Sequence, residues 1–148
     1  MANPTEVAAQ SALKHVMKYL KRNYRTKDLD WVKGCDWQLN PALKLSTIEM
    51  AHRPGGHDEK NVADKVKKIE AGKQPKPIVV VKAGRKHVIA DGYTRTDALK
   101  QTGHTSTGAW VGTPSPTDTD WPQKIRTMQY RVRNHKVPRD IEGDDAHV

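Results

Sequence analysis

Between Pro77 and Leu99 the chain passes through a β-branched run, Ile78-Val79-Val80-Val81, and a short basic turn, Ala83-Gly84-Arg85-Lys86. A second apolar pair, Val88-Ile89, then leads into Asp91-Gly92-Tyr93-Thr94-Arg95-Thr96 and Asp97-Ala98-Leu99. β-Branched runs suit a buried sheet, and a glycine between them supplies turn chemistry. The pattern predicts a strand, a hairpin, a second strand and a turn that opens directly into a helix. Gly92 allows a backbone conformation or close approach that a Cβ would forbid, and Thr94 or Thr96 can cap the adjoining helix. Arg95 at a helix N-terminus makes a phosphate or carboxylate site.

The flanking sequence supplies more elements. Asn3-Pro4 starts a helix whose apolar residues Val7, Leu13, Val16, Met17 and Leu20 recur at helical spacing to about Lys21 or Asn23. Lys14, Lys18, Lys21, Arg22, Arg25 and Lys27 succeed one another with no acidic residue between Lys14 and Lys27, either as a phosphate-facing surface or as a solvated face. Trp31 and Trp37 are read first as packing residues and second as base-stacking ones, and Asn40-Pro41 as a turn. Leu43 to Met50 alternates as a half-buried strand, with Leu43, Leu45 and Ile48 on one side. Ala51 to Asp58 is a polar loop with His52, Arg53 and His57. Val62, Val66 and Ile69 mark a helix that stops before Gly72, and its lysines, Lys65, Lys67 and Lys68, read as a solvated face. A short helix, Thr96 to Gln101, closes at Gly103, and Thr107 to Gly112 is a last strand. Asp120-Trp121-Pro122 starts a final helix with Ile125, Met128 and Val132 as its buried stripe. Its region carries Lys124, Arg126, Arg131, Arg133, Lys136 and Arg139 with no acid from Gln123 to Arg139, and the chain ends in an acidic tail.

A chain of 148 residues has room for one modest core with extensions. Its formal net charge of +9 favours a polyanionic partner, most often nucleic acid, the alternative being a merely basic surface that aids solubility. Cys35 is the only cysteine, which excludes an intramolecular disulfide and a cysteine-based zinc site, and it reads as a small buried hydrophobe. With no apolar run of membrane-spanning length and no leader-like start, the expectation is a soluble, cytoplasmic protein.

The order proline, strand, hairpin, strand, Asp-Gly-aromatic-x-Arg, helix, glycine resembles the ParB/sulfiredoxin superfamily, with Gly92-Tyr93-Thr94-Arg95 matching its Gly-x-x-Arg turn. The Asp91-Gly92 form looks most like ParB-like nuclease-type domains of stand-alone, phage or plasmid type. The resemblance implies an α+β fold, a small mixed sheet flanked by helices, over residues 43–112. Residues 1–42 would then be a basic N-terminal helix with a tryptophan packing segment, and residues 113–148 a linker, basic helix and acidic tail. It implies phosphate binding at Gly92, Tyr93, Thr94, Arg95 and Thr96, with Arg53 as a second contact. The implied cofactors are a divalent metal, Mg²⁺ or Mn²⁺, and a nucleoside triphosphate, ATP or CTP.

For cleavage, Asp91 is the candidate metal or water ligand, with Glu49 and His52 behind it and His87 weaker. The alternative role for Asp91 is to hold the turn and Arg95. Lys14, Lys18, Arg22, Arg25, Lys124, Arg126, Arg131 and Arg133 are the candidate DNA contacts. Sulfiredoxin chemistry is rejected, because Tyr93 stands where that family's cysteine would. Thr94 in place of a histidine tells against a free serine kinase. Three readings remain: a DNA-binding, metal-dependent nuclease; a non-catalytic nucleotide-switched binding module; and a retained fold with a dead site.

Overall fold

The computed structural model describes residues 4–49 and 59–135, and side-chain environments over 10–49 and 60–131. Its elements are α1 (Pro4–Leu20), α2 (Asp30–Lys33), β1 (Cys35–Lys44), β2 (Ile48–Glu49), α3 (Glu59–Glu70), β3 (Ile78–Ala83), β4 (Lys86–Asp91), α4 (Tyr93–Gln101), β5 (Ser106–Pro114) and α5 (Trp121–His135). The fold is α+β. Five strands form one mixed sheet in the order β1-β5-β3-β4-β2.

The chain divides into two compact units, Gln38–Gly112 and a second built from Met1–Trp37 with Thr113–Val148. In the Gln38–Gly112 unit the β-branched run of β3 takes the central place its composition predicts, with Ile78 to Val81 all fully buried. β3 pairs antiparallel with β4 across Gly84-Arg85 and parallel with β5, while β2 runs parallel to β4. Gly84 has φ +64° at the hairpin turn, the conformation such a turn demands of one residue. Leu43, Leu45, Ile48, Ile78, Val80, Ile89, Leu99 and Ala109 form the core here, with Ile69, Tyr93 and Val111 packed on its margin. Both helices of this unit end on glycine as predicted: the N–H groups of Gly72 and Lys73 bond back to Ile69 and Lys68, and those of Gly103 and His104 to Lys100 and Leu99.

Three expectations are corrected. Leu43 to Glu49 is not one strand: β1 ends at Lys44, a 3-10 turn covers Leu45–Thr47, and β2 is two residues long. The Thr47 hydroxyl donates to the Lys44 carbonyl at 2.8 Å, a local bond that competes with strand pairing, yet Leu43, Leu45 and Ile48 are buried as expected. Asn40-Pro41 lies inside β1 and is no turn between elements. β1 is an edge strand, where a proline's missing N–H is tolerated, and Asn40 Oδ1 accepts from Ala42 N–H at 2.9 Å. Finally, α4 begins at Tyr93, three residues before Thr96.

In the other unit Val16, Leu20, Leu29, Trp31, Val32, Cys35, Trp37, Ile125 and Met128 are buried. Both tryptophans are therefore packing residues: their ring centroids lie 6.0 Å apart, and Trp37 Nε1 donates to the Val32 carbonyl at 2.8 Å. The two basic helices, α1 and α5, come from opposite ends of the sequence and belong to this same unit. Arg131 of α5 bonds Asp28, in the segment before α2, at 2.8 Å, and the Asp28 side chain is only 7% exposed.

Candidate functional site

The Asp91–Arg95 turn is built by a bulge, a glycine and an ion pair. Val80 faces Ile89 across the hairpin but Val79 faces Asp91, so Ala90 is an extra residue on β4. A bulge of this kind bends the strand and re-aims the next residue, here Asp91. Gly92 then takes φ +123°, and a Cβ on it would lie 2.5 Å from Ile78 Cγ2 and 2.8 Å from Ile78 Cβ. Neither the backbone angle nor the space admits another residue. Gly92 is also the N-cap of α4, its carbonyl accepting the Thr96 N–H at 2.9 Å.

One turn into α4, Arg95 Nη2 donates to Asp91 Oδ2 at 3.0 Å, with the two side chains 12% and 15% exposed. Asp91 thus fixes Arg95 against the positive end of the α4 dipole. Further positive charge arrives from elements distant in sequence. Lys65 of α3 is half-buried, and burial pushes its ammonium below the ordinary lysine range. Repulsion from Arg95, Lys68 and Lys76 acts in the same direction, and attraction by Asp91 opposes it. Lys65 therefore lies within electrostatic reach of Arg95, in the first turn of α4, and of Lys68 and Lys76, with Asp91 as its counter-charge.

Of the predicted phosphate contacts, Tyr93, Thr94 and Arg95 form the first turn of α4, with Tyr93 also packed on the core margin. Thr96 does not cap the helix: its side chain is fully buried and its N–H is taken by the Gly92 carbonyl. Thr94 makes no side-chain cap either, since Gly92 holds that position. Arg53 and His52 lie outside the described residues.

Glu49 is not brought to Asp91. It pairs in register with Val88, three residues short of Asp91 along β4, a distance of about 10 Å at strand rise. His87 Nδ1 lies 3.0 Å from Thr47 Oγ1. Because that hydroxyl's proton goes to the Lys44 carbonyl, Nδ1 is the donor and carries the hydrogen. Burial, then Lys82, holds the His87 pKa below its usual value of 6.5.

Asp91 already engages Arg95, and among the described residues no group of three or more His, Cys, Asp or Glu side chains could hold a metal ion. Cys35 is no nucleophile: burial, with Asp118 beside it, pushes its thiol up to about 11.

The candidate DNA contacts divide. Lys14, Lys18, Lys124 and Arg126 are exposed, Arg22 and Arg25 are half-buried, and Arg131 is engaged by Asp28. Arg133 lies on α5 with its side chain outside the described residues. Lys65 and Lys76 were not anticipated as part of the site. The available signal was the position of Lys65 three residues after Val62, at the margin of the apolar stripe of α3 and not opposite it.

No family model matches the chain, and no curated protein matches it by sequence. Solved structures do. Sulfiredoxin from Arabidopsis thaliana is similar with a TM-score of 0.46 and 19% identity, over 60% of this chain and 98% of that one. The C-terminally truncated chromosome-partitioning protein ParB from Caulobacter crescentus, solved with CTP-γ-S, gives a TM-score of 0.49 and 12% identity, over 68% of this chain and 55% of that one. A Pnob8-like ParB-N domain gives 0.47 and 15%, over 68% of this chain and 38% of that one. The chain thus spans about half or less of the two ParB structures. No helix among the described residues is long and apolar enough to cross a membrane. The fold is a five-stranded mixed sheet flanked by helices, with the Gly92–Arg95 turn at the start of α4.

Proposed function

We propose that the chain is a non-catalytic phosphate-binding module that takes a nucleoside triphosphate at the Gly92–Arg95 turn and uses it to control attachment to DNA. The observation that carries this reading is the Asp91–Arg95 ion pair at the start of α4, with Lys65 of the adjoining helix α3 within electrostatic reach of it. Gly92 lets a phosphate approach the backbone, the α4 dipole favours its negative charge, and Asp91 holds the Arg95 plane for a two-pronged contact. Lys65, disfavoured as a cation in the free protein, regains a counter-ion when phosphate arrives.

The test is calorimetric titration of the protein with CTP and ATP, without and with Mg²⁺. Arg95→Ala and Lys65→Ala should each weaken binding about tenfold or more, the scale of a lost charge-assisted hydrogen bond. Nucleotide affinity unchanged in both variants would overturn the reading.

The metal-dependent nuclease is the second reading, favoured by the place of Asp91 at the end of a central strand beside the phosphate turn. It predicts nicking of supercoiled plasmid by the wild-type protein in Mg²⁺ or Mn²⁺, abolished by chelator and by Asp91→Ala. Binding without nicking under any metal supports the module instead.

A further inference from the structure

α5 buries Ile125, Met128 and Gln129. At 100° per residue, Tyr130 falls nearly opposite that stripe, and it is 62% exposed, one of two large hydrophobic side chains found exposed among the described residues. Arg126 stands one turn earlier on the same face and is exposed, as is Lys124 on the flank; Arg133 occupies the register position one turn later. The helix, Trp121 to His135, contains no Asp or Glu. Packing of the unit therefore accounts for the inner face of α5 and leaves outside an aromatic ring set among cations.

We infer that the outward face of α5 is a docking surface for single-stranded DNA, with Tyr130 stacking on an unpaired base and Arg126 and Lys124 reaching flanking phosphates. Charge complementarity selects a polyanion. The ring selects among polyanions: an unpaired base offers its π-face to an aromatic side chain, whereas a duplex offers only base edges in its grooves and an acidic peptide offers no comparable surface. Of the nucleic acids, DNA is the one the proposed function already invokes, and to that extent the inference rests on that reading. The surface belongs to one unit and the Gly92–Arg95 turn to the other.

The experiment measures anisotropy of a labelled twelve-nucleotide oligothymidylate against full-length wild-type protein, Tyr130→Ala, Tyr130→Phe and Arg126→Ala, at several salt concentrations. Losing one stacked base should weaken binding of Tyr130→Ala about tenfold, with its salt dependence unchanged, while Tyr130→Phe stays within about twofold. Arg126→Ala should lower the slope of log K against log salt by about 0.7, one phosphate contact on a single strand. The anisotropy is read without added nucleotide and the calorimetric titration with nucleotide is read separately, so failure at the nucleotide turn and failure on α5 are told apart. Wild-type affinity in Tyr130→Ala would overturn the inference. So would equal affinity for a hairpin duplex, equal competition by polyglutamate, which would mark an acidic protein partner, or oligouridylate binding more than tenfold tighter, which would make the ligand RNA.

Discussion

Gly92 is the residue on which the turn depends, through two effects that act together. Its positive φ is strained for any side chain, and a Cβ there would collide with the branched Cβ and Cγ2 of Ile78, which are themselves fixed inside the central strand. Gly92→Ala should therefore lower stability by about 2–4 kcal/mol, the combined scale of backbone strain and overpacking, measured by urea denaturation. A change under about 0.5 kcal/mol would mean that the turn relaxes freely. Arg95 and Asp91 act as a pair. Removing the carboxylate leaves a largely buried guanidinium without its charged counterpart, so Asp91→Asn is expected to weaken nucleotide binding through loss of Arg95 orientation while leaving the protein folded, read by titration alongside circular dichroism.

At the scale of elements, two contacts tie segments that are remote in sequence. His87 on β4 donates to Thr47 in the turn before β2, and burial, then Lys82, lowers its pKa. Its folded pKa lies below the unfolded value of about 6.5, so the unfolded chain takes up the proton first. Stability is then unaffected above that pH, falls as pH drops through it, and levels off below the folded pKa. Denaturation midpoints compared at pH 7 and pH 5 should show this loss, and His87→Asn should reduce it. The second contact is Arg131 to Asp28, which fastens α5 to the segment preceding α2. Arg131→Ala strands a carboxylate that is only 7% exposed, and about 1–3 kcal/mol should be lost, discounted from a fully buried pair because the arginine is 37% exposed. The Asp28→Ala, Arg131→Ala double variant should recover part of it. A double variant no better than the single one would make Arg131 a packing residue and not an ionic tie.

At the scale of the whole molecule, α1 and α5 belong to one unit although they are far apart in sequence, and Cys35 reports on it. Its thiol is buried and pushed up to about 11, so it should react slowly with a disulfide reagent at pH 8 in the full chain. Ending the chain after Pro114 removes Ile125 and Met128 from the buried set and Asp118 from beside the thiol. Labelling should then accelerate by an order of magnitude or more; an unchanged rate would show that α1 and α2 bury Cys35 without α5.

The sequence by itself determined features that are mostly local. The β-branched run of β3, the hairpin glycine, the glycine ends of α3 and α4, and the apolar stripe of α5 depend on backbone propensity and side-chain period, which neighbours in the chain control. The Asp91-Gly92-x-x-Arg95 turn was legible for the same reason. The tertiary structure decided where charges meet. Lys65 joins Arg95 because α3 packs beside α4, Glu49 stays away from Asp91 because β2 pairs with β4 in one register and not another, and Arg131 is drawn inward by Asp28. It also decided which aromatic rings face outward. Trp31 and Trp37 are consumed by packing while Tyr130 stays outside, a division that depends on which face of each element is covered and that residue type alone does not encode.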